Sequence, residues 1–162
     1  MIRLTLLAAT VTLMAAGCSS SNQELVSLAQ KRFATMQAHD LDGLGALYAD
    51  SAKVESTGFD RPAVGPTGIQ EAYRRYFTSS PDLNYKLEQM TVGADAVVLE
   101  YSSSGTMTQS ELEVPIPDYF RGKPYTLHHA TRITVKDGKI MSEMTWFDQV
   151  AFLRQMGFFD QH

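Results

Sequence analysis

The sequence predicts an α+β fold: one domain with helices packed on one face of a curved antiparallel sheet. Three observations predict it. Apolar residues recur at helical spacing through the first half of the chain, the period changes to two beyond Pro81, and Asp137-Gly138 marks a tight hairpin turn in the second half. Of the 162 residues, 44% are hydrophobic and 20% charged, which is enough for a real core. Roughly 140 residues remain once a leader is set aside, the usual size of one domain. A net charge of −4 without any run of Lys or Arg argues against a nucleic-acid partner. The single cysteine, Cys18, leaves the folded part without a disulfide or a thiolate metal site. The histidines, His39, His128, His129 and His162, are not spaced to join a carboxylate on one helical face. No phosphate-binding or dinucleotide motif is present, so neither a metal nor a cofactor is expected.

The chain opens with Arg3 and an apolar run from Leu4 to Ala16, too short to cross a hydrocarbon core of about 30 Å as a helix. The run closes in Met14-Ala15-Ala16-Gly17-Cys18, where small residues precede the only thiol. This resembles the bacterial lipoprotein signal, with Ala15 where that family usually has Leu. The resemblance implies a signal peptide over 1–17, a lipid on Cys18, a polar tether over 18–22 and a domain over 23–160. It further implies a periplasmic domain anchored to a membrane, and Ser19 in place of Asp favours the outer membrane. The competing reading is an ordinary secretory leader with an incidental cysteine.

Within the domain, Val26, Ala29, Phe33 and Met36 define a first amphipathic helix ending near His39-Asp40. Asp40 caps a short second helix carrying Leu41, Leu44 and Leu47 or Tyr48, expected to stop at Asp50-Ser51. An extended piece surrounds Val54, and residues 57–67, rich in Gly and Pro, read as a loop. From Gly68 to Thr78 a stripe of Ile69, Ala72, Tyr73, Tyr76 and Phe77 opposes Glu71, Arg74 and Arg75, a third helix. Leu83, Tyr85 and Leu87, then Val97, Leu99 and Tyr101, alternate about a turn at Gly93-Ala94-Asp95. A further strand is expected near Thr106 to Val114, and then a last hairpin of Tyr125 to Val135 and Ile140 to Phe147. Asp148 caps a final helix, with Gly157 at its end.

If Asp137 and Gly138 are the two central turn residues, Val135 pairs with Ile140, and a regular register sets Arg132 against Glu143, Ala130 against Thr145 and His128 against Phe147 on one polar face. The other face then holds Leu127, His129, Ile133, Val135, Ile140, Met144 and Trp146, and a bulge would exchange part of the assignment. On a cavity-facing surface, Glu143 or His128 is the general acid or base; on a solvated one, Arg132 and Glu143 are a cross-strand ion pair. Trp146 with Met144 suits the core or the contact between two copies of the chain.

Several short motifs in order resemble the SnoaL-like polyketide cyclases, within the nuclear-transport-factor-2-like superfamily. They are Leu47-Tyr48-Ala49-Asp50, Gly65 with Gly68-Ile69, Ser80-Pro81-Asp82-Leu83, Phe120-Arg121-Gly122-Lys123, Asp137-Gly138-Lys139-Ile140, and Trp146-Phe147-Asp148 with Leu153-Arg154-Gln155-Met156-Gly157. The resemblance implies a cone of curved antiparallel sheet whose helices close an apolar pocket, often in a homodimer. In that family an acid stands three places before the closing aspartate, here Asp148, and the residue there is Thr145. Glu143 and His128 are then the candidate catalytic residues, and Arg132, Thr145, Phe147 and Tyr73 the candidate ligand contacts. Two functions follow: binding of a small, mostly apolar ligand, or cofactor-independent cyclase or isomerase chemistry by proton transfer on a carbonyl compound.

Overall fold

Helix α1 (Gly17–Gln37) buries Leu25, Leu28, Ala29, Arg32, Phe33 and Met36, a stripe at three- and four-residue spacing with a charged residue in its middle. The computed structural model describes residues 17–109 and 116–161. The leader up to Ala16 and most of the end of the expected strand at 106–114 lie outside the described residues. Helix α1 includes residues 18–22, the stretch read as a tether.

Asp40 caps α2 (Leu41–Gly45), its carboxylate accepting the Gly43 N–H at 2.8 Å. The helix ends five residues earlier than the sequence suggests. Leu47 to Asp50 is not helical, because Tyr48 already belongs to β1 (Tyr48–Ser56), which buries Tyr48, Ala52 and Val54. Pairing with β6, Tyr48 opposite Ile140 and the Leu47 carbonyl accepting from Ile140 N–H at 2.9 Å, overrides the local helical spacing, a tertiary effect that no short window contains. The loop at 57–67 contains the two-residue strand β2 (Ala63–Val64), and α3 (Gly65–Ser79) follows it directly. Glu71, Arg74 and Arg75 of α3 are exposed, while Ile69 and Tyr73 are buried, as the stripe requires.

Strands β3 (Asn84–Val92), β4 (Ala96–Met107), β5 (Lys123–Lys136) and β6 (Lys139–Phe147) complete a six-stranded sheet of order β2-β1-β6-β5-β4-β3. All pairings are antiparallel except β1 with β6, which run parallel, so the sheet is mixed at this one seam. The expected strand near 106–114 is instead the end of a longer β4, which stops at Met107. Val97, Leu99, Tyr101, Ser103, Gly105 and Met107 alternate inward along β4. Leu87 pairs with Tyr101 and so keeps the phase of Tyr85, but on the edge strand it is 37% exposed, and a bulge between Leu87 and Gln89 breaks the alternation beyond it. Asp148 caps α4 (Gln149–Gln155), accepting from Ala151 N–H at 3.0 Å, and Gly157 beyond it has φ +73°.

Helices α1 and α3 thus cover the concave face of the sheet, and α4 lies at one end of it. Where α3 begins, Gly65 has φ +67° and an added Cβ would stand 2.9 Å from the Asp50 carbonyl oxygen. Gly65→Ala is therefore expected to lower stability by about 1–2 kcal/mol or more, from the left-handed conformation plus the clash. Urea denaturation checks this, and an unchanged midpoint would show that the helix start adjusts freely.

Candidate functional site

The last hairpin turns where the sequence places it. Asp137 and Gly138 both have positive φ, 52° and 74°, the conformation of a tight two-residue turn, and Val135 pairs with Ile140. One residue later the register shifts. Thr134 pairs with Ser142, leaving Met141 as a bulge, and the pairs beyond are Ile133 with Glu143, Arg132 with Met144, Thr131 with Thr145, Ala130 with Trp146 and His129 with Phe147. Arg132 therefore does not oppose Glu143, and His128 does not oppose Phe147. The bulge sits next to the turn, the end at which a regular ladder was expected, and it exchanges the faces of every β5 residue relative to β6.

The consequence for the sequence candidates is direct. His128 and Arg132 leave the site: the His128 side chain is 76% exposed beside Glu88 at 3.6 Å, and Arg132 reaches Asp95 at 3.5 Å on the outer surface. Met144 and Trp146 share that outer side, Trp146 being 44% exposed, away from Ile133 and Ile140, which are buried. Facing inward are Leu127, His129, Thr131 and Ile133 of β5, with Glu143, Thr145 and Phe147 of β6. Glu143, Thr145, Phe147 and Tyr73 lie on the inward side together, with His129 there rather than His128.

Glu143 is fully buried, and its partner is Arg32 of α1. Arg32 Nε donates to Oε2 at 2.9 Å and Nη2 to Oε1 at 2.5 Å, a bidentate pair. Tyr48 Oη donates to Oε2 and Tyr73 Oη to Oε1, each at 2.5 Å, and Tyr73 accepts from Arg32 Nη2 at 2.8 Å. Burial alone pushes the Glu143 carboxyl up, but the Arg32 charge and these hydrogen bonds more than offset it and hold the group below the ordinary range. Burial is likewise the largest influence on Arg32 and disfavours its cation, but Glu143 together with Tyr73, Tyr48 and Tyr101 more than offsets it and raises its pKa. Burial is also the first cause that holds Tyr48 and Tyr73 protonated, so both remain donors. With four strong donors on two oxygens, the carboxylate has no lone pair left for substrate.

Sequence reading missed Arg32. The signal was present: Arg32 lies three residues after Ala29 and four before Met36, on the apolar stripe rather than beside it. A cation in that position needs a buried anion.

A cavity of about 450 Å³ opens between the sheet, α3 and α4. Its walls are mainly aromatic and aliphatic, including Tyr73, Tyr76, Tyr85, Tyr101, Phe120, Phe147 and Phe152. Thr145 and Tyr73 reach the wall, whereas Glu143 stands behind them and does not line it. Thr145 Oγ1 meets Thr131 Oγ1 at 2.7 Å, and Thr131 meets Tyr101 Oη at 3.1 Å. His129 is the histidine of the wall. Its ring stacks on Tyr101 at 4.8 Å, and Nε2 lies 2.8 Å from Ser103 Oγ. Burial, then the Arg32 and His128 charges, lower its pKa to about 4, so it is neutral at physiological pH. Among the described residues no group of three His, Cys, Asp or Glu side chains converges as a metal site.

A sequence profile of the SnoaL-like polyketide cyclases matches residues 27–156. The chain belongs to that family. Solved structures of the same fold include a protein from Jannaschia sp. CCS1 provisionally named a SnoaL-like polyketide cyclase, 19% identical, covering 84% of this chain and 93% of its own, with a TM-score of 0.73. AclR from Streptomyces galilaeus, provisionally named a hydroxylase, is 18% identical over 85% of this chain and 98% of its own, at 0.70. TsrD from Streptomyces laurentii is 20% identical over 83% and 96%, at 0.68. No curated relative matches the chain. This SnoaL-like domain carries Thr145 at the position where the family resemblance places an acid, and the nearby carboxylate of Glu143 is committed to Arg32.

Two predictions follow from the ion pair and the neutral histidine. Arg32→Met strands a buried carboxylate and is expected to cost about 3–5 kcal/mol, most of it recovered when Glu143→Gln is added; independent, additive losses would contradict the pairing. Both Glu143 and His129 bind protons less well folded than unfolded, so the stability each confers is complete at neutral pH and is lost on acidification. For His129 the loss runs from pH 6.5 down to about 4, and for Glu143 it begins below about 4.5. In urea titrations across pH, His129→Phe flattens the first part of the decline and Glu143→Gln the second.

Proposed function

We propose that this SnoaL-like domain binds a small, mostly apolar molecule in its cavity, and that a lipid on Cys18 anchors it in the bacterial envelope with the domain in the periplasm. The observation that carries the first part is a cavity of about 450 Å³, within the range of small-molecule sites, whose walls are largely apolar and lined by no carboxylate among the described residues, the Glu143 carboxylate being locked in an ion pair behind them. Proton-transfer catalysis on a carbonyl compound needs a group at the wall that takes up and returns a proton near neutral pH. Thr145 has no such proton, Glu143 has no free lone pair, and His129 is poorly basic at a pKa of about 4. Binding therefore fits the residues better than turnover. The anchor rests on the apolar run of residues 4–16 followed by Cys18.

Native mass spectrometry of the protein purified from its own host tests the binding reading. A retained apolar molecule of defined mass is expected, and protein that neither retains one nor takes up an apolar fluorophore counts against it. Labelling of cells with radioactive palmitate tests the anchor: label in the wild-type chain and none in Cys18→Ala is expected, and an unlabelled wild-type chain contradicts it.

A further inference from the structure

Tyr85 of β3 lines the cavity and is 6% exposed, on the inward face of the sheet opposite the inward Ser103 of β4. Its ring packs edge-to-face against Phe33 of α1 and Tyr101 of β4, at centroid distances of 6.4 and 5.9 Å. Gln37 of α1 donates to the Tyr85 backbone carbonyl at 3.0 Å, which ties the strand to the helix above it. The hydroxyl at the end of this packed ring makes no hydrogen bond to any described residue.

A buried tyrosine hydroxyl usually finds a partner, and leaving one unpaired costs free energy comparable to a lost hydrogen bond. The Tyr85 hydroxyl is not sealed off, however. Among the described residues the unpaired side-chain atoms closed to any visitor are Nη1 of Arg32 and Nδ1 of His129, so Tyr85 Oη keeps surface that a molecule can reach. Burial is the first cause that holds the hydroxyl protonated, and the groups that act on it, Tyr101, Arg32, Tyr125 and Tyr76, stand on the interior side of the sheet. Tyr76, Tyr101 and Tyr125 line the same cavity, so the hydroxyl points into the space they share. Other hydroxyls of the wall are already engaged: Ser103 with His129, Thr145 and Tyr101 with Thr131, Tyr73 with Glu143.

No Asp, Glu, Lys or Arg is among the described residues that line the cavity, and Arg32 and Glu143 neutralise one another behind it. A charged group brought into that space would lose its water without gaining a counter-ion. We propose that the Tyr85 hydroxyl is the polar contact of the cavity, and that the ligand is an uncharged, mostly apolar molecule whose carbonyl, ether or hydroxyl oxygen accepts a hydrogen bond from Tyr85 Oη. This assignment deepens the reading of the cavity as a binding site and rests on it. The hydroxyl proton turns about the Cζ–Oη bond, so the ligand oxygen need only come within about 3 Å of Oη.

Three probes of nearly one shape test the contact and the charge: methylnaphthalene, naphthalenemethanol and naphthoate, which carry no oxygen, a neutral hydroxyl and a carboxylate. Their affinities for the full chain at neutral pH are read by displacement of an apolar fluorophore. Lost hydration of the alcohol offsets part of its new bond, so the informative quantity is its affinity relative to methylnaphthalene, compared between two proteins. Tyr85→Phe keeps the ring and removes the hydroxyl; it is expected to lower that ratio about 5- to 10-fold, the size of one buried hydrogen bond, while methylnaphthalene binds both proteins alike. The hydroxyl has no partner within the protein, so the urea midpoint of Tyr85→Phe is expected to be no lower than that of wild type. Wild type is expected to bind naphthoate at least about 10-fold more weakly than naphthalenemethanol. Carbon-13 NMR of wild-type protein labelled at tyrosine Cζ reads the contact without a variant: naphthalenemethanol shifts the Tyr85 resonance further than methylnaphthalene does. A ratio that survives in Tyr85→Phe, a lowered midpoint or equal shifts overturns the Tyr85 assignment, and naphthoate binding as tightly as the alcohol overturns the uncharged ligand. Failure of methylnaphthalene to displace the fluorophore overturns the cavity reading itself, which distinguishes that failure from one confined to Tyr85.

Discussion

Charge buried on both sides of the helix–sheet interface organises this domain. Arg32 reaches from α1 and Glu143 from β6, and neither side chain touches solvent. Removing two ions from water costs several kcal/mol each, so the pair persists only with near-complete hydrogen bonding. Tyr48 from β1 and Tyr73 from α3 supply the remaining donors. Four elements distant in sequence are thereby tied to one carboxylate. Sliding α1 along the sheet by one turn would strand an ion in the core, which makes the pair a register device as much as a source of stability.

Fixing the helices in this way also fixes what the cavity can be. Tyr73 uses its hydroxyl on Glu143 and Arg32 and presents the rest of the ring to the cavity, so the ion pair is screened by an aromatic wall. The bulge at Met141 allows Ile140 on one side of it and Glu143, Thr145 and Phe147 on the other to point inward, although a regular strand would send Ile140 and Glu143 to opposite faces. The same bulge brings His129 rather than His128 inward. The cavity wall is largely apolar, with one hydroxyl chain through Thr145, Thr131 and Tyr101 and the neutral imidazole of His129.

The fold was legible because its signals are local. Stripes on α1 and α3, alternation on β4, the Asp137-Gly138 turn and the Asp40 and Asp148 caps each depend on a few neighbouring residues. The family motifs, spread in order over the domain, supplied the cone. What failed was non-local. Leu47 to Asp50 reads as helix until the pairing of β1 with β6 is known, and no short window carries the Met141 bulge. A one-residue shift exchanged faces, so Glu143, Thr145 and Phe147 point inward while His128 and Arg132 point outward. Arg32 was hidden differently, in plain view on an apolar stripe beside Lys31, where a basic pair reads as a solvated edge unless its helical phase is checked.

Whether Glu143 is a permanent anion of the core or an acid of the cavity is the point on which the account turns. Carbon-13 NMR of side-chain carboxyls, with Glu143 assigned by its loss in Glu143→Gln, measures that directly as pH is lowered. The account predicts a carboxyl that stays ionised below 4.5, for as long as the fold persists. A Glu143 carboxyl that takes up its proton above that value, towards neutrality, would contradict it and return the residue to acid–base chemistry.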